Sequence, residues 1–511
     1  MIARGRTARL AACALALVSS GCGTAERDSA ERPNVLLIVV DTLRRDRLGA
    51  YGGRTGTPNL DALAEESWVF EHAQSPRAKT TPAVASLFTG RYPHEHGVRD
   101  LTVPLDPSLP TLAERLDDAG YTTAAIVGNF VLTARRSGLD RGFEHWVEDL
   151  PDRRGVPPHD APQRAATSLT DGALAALGLG APSEDAAGPR QALVESDTPW
   201  FLYLHYMDPH GAYDPPPAWR REPVTAELVT LPVAADGFLR PRIADYNVPA
   251  DARLFDGGFD AALVRERYDG EVRYTDHELG RLLDALRASG ELDRTLVIVT
   301  SDHGESLGEH RYWFEHGLYA YEATTAIPLL VRPPAAWRAE IGRRQGDLSL
   351  VDVAPTVLAL LGQPALHEAG GALRGATSES LWLDDSSTSQ PVFVFKTERA
   401  DLDGTVQLRG ARKGRWKLIR ALAFDSSSGT PTLELVREEL YDVVDDPDET
   451  TDLSSQPPEG VPVEELRKAL DRLLDTEQGL RGEALAIQTN RARLETEAAE
   501  DIERLRQLGY E

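Results

Sequence analysis

Two acidic strand ends, far apart in the chain, carry groups that could do chemistry: Asn34-Val-Leu-Leu-Ile-Val-Val-Asp41-Thr42 and Leu296-Val-Ile-Val-Thr-Ser-Asp302-His303-Gly304. A carboxylate at one end, and a carboxylate beside an imidazole at the other, make a mixed oxygen and nitrogen set suited to a divalent cation. Taken singly, either Asp could only cap a helix. Taken together, Asp41, Asp302 and His303 point to metal-assisted hydrolysis, with all three as metal ligands.

Such ligands need a scaffold that brings them together. Each is preceded by a Val- and Ile-rich run that reads as a strand buried on both faces. In an open parallel sheet, functional groups collect outside the carboxyl ends of the strands, so these two ends can share one crevice. From residue 34 onward, strand-like runs alternate with amphipathic segments at 59–66, 111–119, 271–288 and 350–361. The alternation predicts an α/β fold: a large, mostly parallel central sheet with helices on both faces. Val392-Phe-Val-Phe395, Trp416-Lys-Leu-Ile419 and Leu433–Tyr441 predict a smaller C-terminal antiparallel sheet. Leu466, Leu470, Leu473 and Leu474 at helical spacing, then Ala499–Leu508, predict a helical tail. Two stretches, 148–198 and 214–260, break the pattern and read as surface insertions that could form a substrate rim.

With 511 residues, 41% of them hydrophobic, the chain has ample core. Its formal net charge of −26 excludes a protein that wraps nucleic acid by its general field. An anionic substrate must instead be drawn in by local positive charge. The first residues, with Arg4, Arg6 and Arg9 before an apolar run from Leu10 to Val18, form an export signal. It ends in Ser19-Ser20-Gly21-Cys22, which resembles a bacterial lipoprotein cleavage box and makes Cys22 the lipidation residue. The expected location is the cell envelope or periplasm, with the body tethered to the membrane by a lipid anchor.

A third element is Ala78-Lys79-Thr80-Thr81-Pro82-Ala83-Val84-Ala85-Ser86-Leu87-Phe88-Thr89-Gly90-Arg91. It resembles the signature of the sulfatases of the alkaline phosphatase superfamily, in which a Cys or Ser nucleophile is followed by Pro, Arg and a Thr-Gly tail. Thr80 falls on the nucleophile, Pro82 on the proline, and Leu87-Phe88-Thr89-Gly90 on the tail. Further family-like phrases run in order from Asn34–Asp41 to Glu439-Leu-Tyr-Asp442, among them Met207-Asp-Pro-His210, Tyr268-Asp-Gly-Glu271 and Thr300–His310. The implied organisation is a signal peptide over 1–21, a linker over 22–33, a sulfatase-like catalytic domain over 34–383, a C-terminal subdomain over 391–455 and a helical tail over 461–511. The resemblance implies an alkaline phosphatase-like fold.

Departures from the pattern bear on mechanism. Sulfatases oxidise Cys or Ser to formylglycine, and threonine cannot yield that aldehyde. Val84 stands where the signature has Arg, Asn129-Phe130-Val131 where the sulfate cradle has Lys-x-His, Thr42 where a second metal-binding Asp is usual, and His316 near the place of a later Lys. The pattern is similar to the superfamily's nucleotide phosphodiesterases and phosphoglycerol transferases, which use a metal-bound threonine. Thr80 then acts as an unmodified alcohol, and an alcohol is a poor nucleophile unless a cation withdraws charge from it. The resemblance implies one divalent ion (Ca, Mn or Zn) on Asp41, Thr80, Asp302 and His303. His316 and His210, with His205 or Asp208, could hold a second ion or donate to the substrate.

The leading expectation is a sulfatase-like, metal-dependent hydrolase of sulfate or phosphate esters, acting on an anionic substrate such as a sulfated or phosphorylated glycan or lipid. A phosphodiesterase or phosphoglycerol-type transferase is one alternative. A catalytically inactive, glycan-binding envelope lipoprotein is the other, favoured by the missing cradle residues and opposed by the intact Asp41, Asp302 and His303.

Overall fold

Asn34–Val40 contains only Val, Leu and Ile after its first residue, and all seven residues are buried. This strand, β1, lies at the centre of an eight-stranded sheet in a computed structural model. The structure describes residues 32–101, 103–150, 164–180, 193, 198–230, 242–244, 247–255, 257–337, 341–366, 392–396, 407–425 and 432–475. The expected export signal with Cys22, nearly all of the expected linker, the end of the expected catalytic segment, most of the 148–198 stretch and the tail beyond 475 lie outside the described residues.

The other strands of the central sheet are β2 (Trp68–Gln74), β3 (Thr122–Val127), β4 (His145–Val147), β5 (Trp200–Tyr206), β6 (Thr295–Thr300), β7 (Leu329–Arg332) and β8 (Gly342–Ser349). Their order is β8-β2-β7-β6-β1-β5-β3-β4. All pairs are parallel except those of β7, which runs antiparallel to both β6 and β2. The sheet is thus mostly parallel, as the alternating pattern predicts. Neighbouring side chains of β1 point to opposite faces. Leu36, Ile38 and Val40 enter one core with helix α4 (Ala166–Ala176) and the long helix α5 (Ala261–Ser289). Val35, Leu37 and Val39 enter the other, with α2 (Thr80–Thr89), α3 (Leu112–Asp118) and α6 (Val353–Leu360). Helix α1 (Pro58–Glu65) covers the first face beside α5.

Register places the strand ends. Val40 pairs with Tyr206 and Val39 with Thr300, so one or two residues further along Asp41 sits between the ends of β5 and β6. The Asp41 N–H still donates to the Tyr206 carbonyl at 2.9 Å. After β6 the chain turns at Gly304, where an added Cβ would come within 2.3 Å of the Ala323 carbonyl oxygen. Only glycine allows that approach, and the Gly304 N–H uses it to donate to Thr324 at 2.9 Å.

A second, antiparallel sheet follows, formed by β9 (Val392–Lys396), β10 (Gln407–Lys413), β11 (Trp416–Asp425) and β12 (Thr432–Asp442) in sequential order. Strand β10 carries Arg409 and Arg412 among its buried residues, a polar content that hides it from a reading by apolar runs. A helix over 463–475 covers one face through Leu466, Leu470 and Leu473, which meet Leu418, Leu440, Tyr92 and Val351. Buried charge joins this sheet to the central body. Lys417 Nζ lies 3.0 Å from Glu322 Oε1 and 3.1 Å from Glu449 Oε1, and Arg412 Nη1 lies 2.8 Å from Glu322 Oε2. Burial opposes ionisation of Glu322, but Arg412 and Lys417 overcome it and hold the carboxyl well below its usual range.

Removing one member of such a network leaves uncompensated buried charge. Lys417→Ala should therefore destabilise the protein by about 3–5 kcal/mol, read as a lowered denaturant midpoint, and a loss near zero would show that the network carries no stability.

Candidate active site

Each strand end delivers one carboxylate to the same point. Asp41 Oδ2 accepts from Asn129 Nδ2 at 2.7 Å, lies 3.2 Å from His205 Nε2 and accepts from Thr80 Oγ1 at 3.5 Å. Asp302 Oδ1 accepts from the backbone N–H of His303 at 2.8 Å and of Thr42 at 3.2 Å. His303 Nδ1 faces the Gly304 carbonyl at 3.0 Å, so that nitrogen carries the proton and Nε2 keeps its lone pair. What remains are Asp41 Oδ1, Asp302 Oδ2 and His303 Nε2, all buried and without a hydrogen-bond partner among the described residues. His303 Nε2 is 3.4 Å from Asp302 Oδ2 and 4.0 Å from Asp41 Oδ1. Ligands about 2.0–2.4 Å from a common ion have such separations. Among the described residues, these three form the one group of His, Cys, Asp and Glu donors that lie within 4.8 Å of one another.

Thr80 opens α2, a helix buried along all ten residues. The turn carrying Thr80 is at the positive end of the helix dipole, which favours negative charge there. Val84, in place of the signature's Arg, is fully buried in the core under the sheet.

Electrostatics at the site are those of acids held in apolar surroundings. Burial opposes charge on Asp41, but the hydrogen bond from His205 and the proximity of His210 and His303 hold its carboxyl below the usual range. Burial and then the neighbouring Asp41 push Asp302 well above that range. His303 is pushed well down by burial and then by His316. Two such carboxylates cannot both ionise comfortably unless a cation lies between them, and a divalent ion would reverse this balance. The residues present fit such an ion.

His316 and His210 lie at the edge of this group. The His316 ring is 4.3 Å from that of His303 and 5.2 Å from that of His210, centroid to centroid. His316 Nδ1 is 3.2 Å from Glu305 Oε1; burial and His210 push the imidazole down to about 3, and burial pushes Glu305 up to about 8. His205 and Asp208 are turned elsewhere. His205 is fully buried with Nδ1 2.8 Å from the Tyr203 hydroxyl and Nε2 on Asp41, so it braces Asp41 from behind. Asp208 Oδ2 accepts from the Ala166 N–H at 2.7 Å, at the start of α4. Neither joins the donor group. Part of the 214–260 insertion borders His316: Ala244 N–H donates to the Trp313 carbonyl at 3.1 Å, and Asn247 Nδ2 to that of Phe314 at 2.7 Å.

Sequence reading overlooks Glu305 and Tyr203 as parts of the site, and places Asn129 at the cradle position without its bond to Asp41. Glu305 sits inside a recognised phrase, but its partner His316 is eleven residues on. Tyr203 and His205 share one face of β5 by their spacing of two, which is the one local signal for their contact.

Metal-stripped protein should gain about 2.7 kcal/mol of stability when a bound divalent ion is present at a hundredfold its dissociation constant, seen as a higher melting temperature. Asp302→Asn should abolish most of that gain; an unchanged gain in this variant would place the ion elsewhere.

Comparison with known proteins agrees with this architecture. The family model for Sulfatase matches residues 33–363. Choline-sulfatase of Rhizobium meliloti (strain 1021) is 27% identical over 458 residues, covering 83% of this chain and 83% of that protein. Among solved structures, BT4656 in complex with its substrate D-glucosamine-2-N,6-O-disulfate aligns with a TM-score of 0.65 at 20% identity, over 88% of this chain and 98% of its own. The phosphonate monoester hydrolase of Agrobacterium radiobacter aligns with a TM-score of 0.62 at 23% identity, over 88% and 96%. By the span of the family match and the shared fold, the chain belongs to the sulfatase family of the alkaline phosphatase superfamily and is a hydrolase of ester bonds.

Proposed function

We propose that the chain hydrolyses phosphate or sulfate esters with Thr80 as nucleophile, and that phosphate esters are the better substrates. The observation that carries this reading is a buried threonine hydroxyl at a helix N-terminus that donates to Asp41, in a site where Asp41, Asp302 and His303 each keep one buried, unpaired acceptor atom. Asp41, Asp302, His303 and Thr80 would hold one divalent ion: Ca, Mn or Zn. When bound, such an ion withdraws charge from oxygen strongly enough to bring the pKa of water from 15.7 to about 7, and it would do comparable work on an alcohol.

The chain's own groups supply the rest. Thr80 gives its hydroxyl proton to Asp41 Oδ2, its acceptor at 3.5 Å, and its Oγ1 forms a bond to phosphorus as the bond to the leaving oxygen breaks. His316, held neutral by its burial, and His210 orient the ester oxygens at the edge of the site, and His210 passes a proton to the departing oxygen. Water then cleaves the Thr80 ester, giving one proton to His210 while Asp41 returns its own to Thr80, and releases phosphate from a monoester or a phosphate monoester from a diester. An alcohol as acceptor in place of water would turn the same covalent step into transfer, as in the phosphodiesterase and phosphoglycerol-transferase alternative.

Phosphate is favoured over sulfate by what is missing. An aldehyde hydrate can expel sulfate with its second hydroxyl, whereas a threonine ester has none and must wait for water. Val84 and Asn129 stand where the family's sulfate-binding cations would be, and Asn129 spends its amide on Asp41. Arg77 and Lys79 supply local positive charge beside Gly317: Arg77 Nη1 donates to its carbonyl at 2.7 Å, and Lys79 pairs with Asp100 at 3.1 Å. Export, with a lipid tether at Cys22, is part of the same reading, supported by the basic and apolar N-terminal pattern. Among the described residues, no helix is long and apolar enough to cross a membrane.

Thr80→Ala should lower turnover of a nitrophenyl phosphodiester by about 10³-fold or more, while Thr80→Ser keeps part of it. An undiminished rate in Thr80→Ala would remove Thr80 from the chemistry. Rapid quenching of the wild-type reaction should yield a tryptic peptide containing Thr80 heavier by the phosphoryl group together with the ester substituent the diester keeps. A nitrophenyl sulfate turned over faster than the matching phosphate esters would reverse the assigned preference.

A further inference from the structure

The 214–260 insertion is stitched to the strand that leads into His316. Its short strand Arg242–Ile243 runs parallel to Tyr312–Trp313, Ala244 N–H donates to the Trp313 carbonyl at 3.1 Å, and Asn247 N–H turns back to donate to Ala244 at 2.9 Å. Asn247 is thereby buried, with 1% of its surface exposed. Its Nδ2 donates to the Phe314 carbonyl at 2.7 Å, two residues before His316. Phe314 has a backbone φ of +59°, a left-handed conformation that a bulky residue keeps only when its surroundings hold it. The Asn247 amide is one such hold.

The same amide lies against the segment that carries the other histidine. A Cβ added to Gly211 would fall on the Asn247 side-chain amide, so only glycine admits this approach. Gly211 follows His210 and its carbonyl faces His210 Nδ1 at 2.9 Å, which leaves Nε2 for a substrate. Tyr213, three residues after His210, packs its ring 6.2 Å from that of Phe314, so the two segments also meet directly. One side chain therefore touches both backbones that aim His210 and His316, whose rings are 5.2 Å apart. Asn247 Oδ1 is buried and has no hydrogen-bond partner among the described residues. An unpaired buried acceptor costs free energy, and departures of this kind collect at functional sites. We infer that Asn247 is a positioning residue that sets the spacing of His210 and His316, so that the insertion belongs to the machinery of the reaction. This rests on the reading in which His210 protonates the departing oxygen while His316 orients the ester. A misplacement of about 1 Å can cost about 10²-fold in rate, and the loss falls hardest on a strongly basic leaving group, which most needs the proton.

The test compares kcat/KM of the full-length protein on methyl phenyl phosphate and methyl 4-nitrophenyl phosphate, which differ in the basicity of the departing phenolate. Asn247→Ala should lower the value for the phenyl ester by about 10²-fold and for the nitrophenyl ester by less than about tenfold. His210→Ala should show the same selectivity. Gly211→Ala, which pushes the Asn247 amide from its place, should reproduce the selective loss, and adding Asn247→Ala to it should cost little more. An equal fall on both esters in Asn247→Ala, beside a selective fall in His210→Ala, would make Asn247 a merely structural residue and overturns the inference. Losses that multiply in the Gly211→Ala, Asn247→Ala double variant overturn it too, as does an unchanged Asn247→Ala. Should Asn247→Ala fail to fold, Asn247→Ser decides by the same ratio of the two esters. A His210→Ala variant that treats both esters alike, or a wild type inactive on both, overturns the underlying reading of the site, which separates the two failures.

Discussion

Two carboxylates buried side by side at the ends of neighbouring strands are the constraint on which the site depends. In a low-dielectric surround, each disfavours the charge of the other. The protein nevertheless holds them close, with backbone N–H groups on one oxygen of Asp302 and side-chain donors on one oxygen of Asp41. That division leaves one oxygen of each acid facing the same point, beside an imidazole whose proton is fixed on the far nitrogen. Such an arrangement is unfavourable when empty and favourable around a cation, so folding and ion binding are coupled through it.

The supports of these groups come from across the fold. Asp41 is braced by Asn129 after β3, by His205 on β5 and, through His205, by the Tyr203 hydroxyl. Asp302 is held by the turn after β1, and that turn by Tyr268 on the long helix α5. The Gly304 turn leans on the segment around Glu322, which the C-terminal sheet grips through Lys417 and Arg412. The second sheet thereby reaches the site through a chain of buried polar contacts. Positions set in this way tolerate little shift, because each hydrogen bond is lost when its two groups move apart.

Much of this was legible in the chain before any coordinates. Strictly apolar strands flanked by amphipathic segments specify a parallel sheet, and the same pattern puts acids at strand ends where such sheets collect ligands. The C-terminal antiparallel sheet was readable from its apolar runs, except β10, whose buried arginines hide it. The pairing of Glu305 with His316, and the turn of Asp208 toward Ala166, could not be read, because neither follows from local spacing.

The sequence by itself determined the fold class and the family and pointed to Asp41, Asp302 and His303 as candidate cation ligands, because apolar periodicity and ligand chemistry are local properties of residues. Only the tertiary structure decided which oxygen of each acid is free, that His205 braces and does not face the site, and that Thr42 carries an unpaired hydroxyl. Those outcomes turn on strand register and on hydrogen bonds between residues up to 261 positions apart, and a distance in space of that kind leaves no trace in local order along the chain.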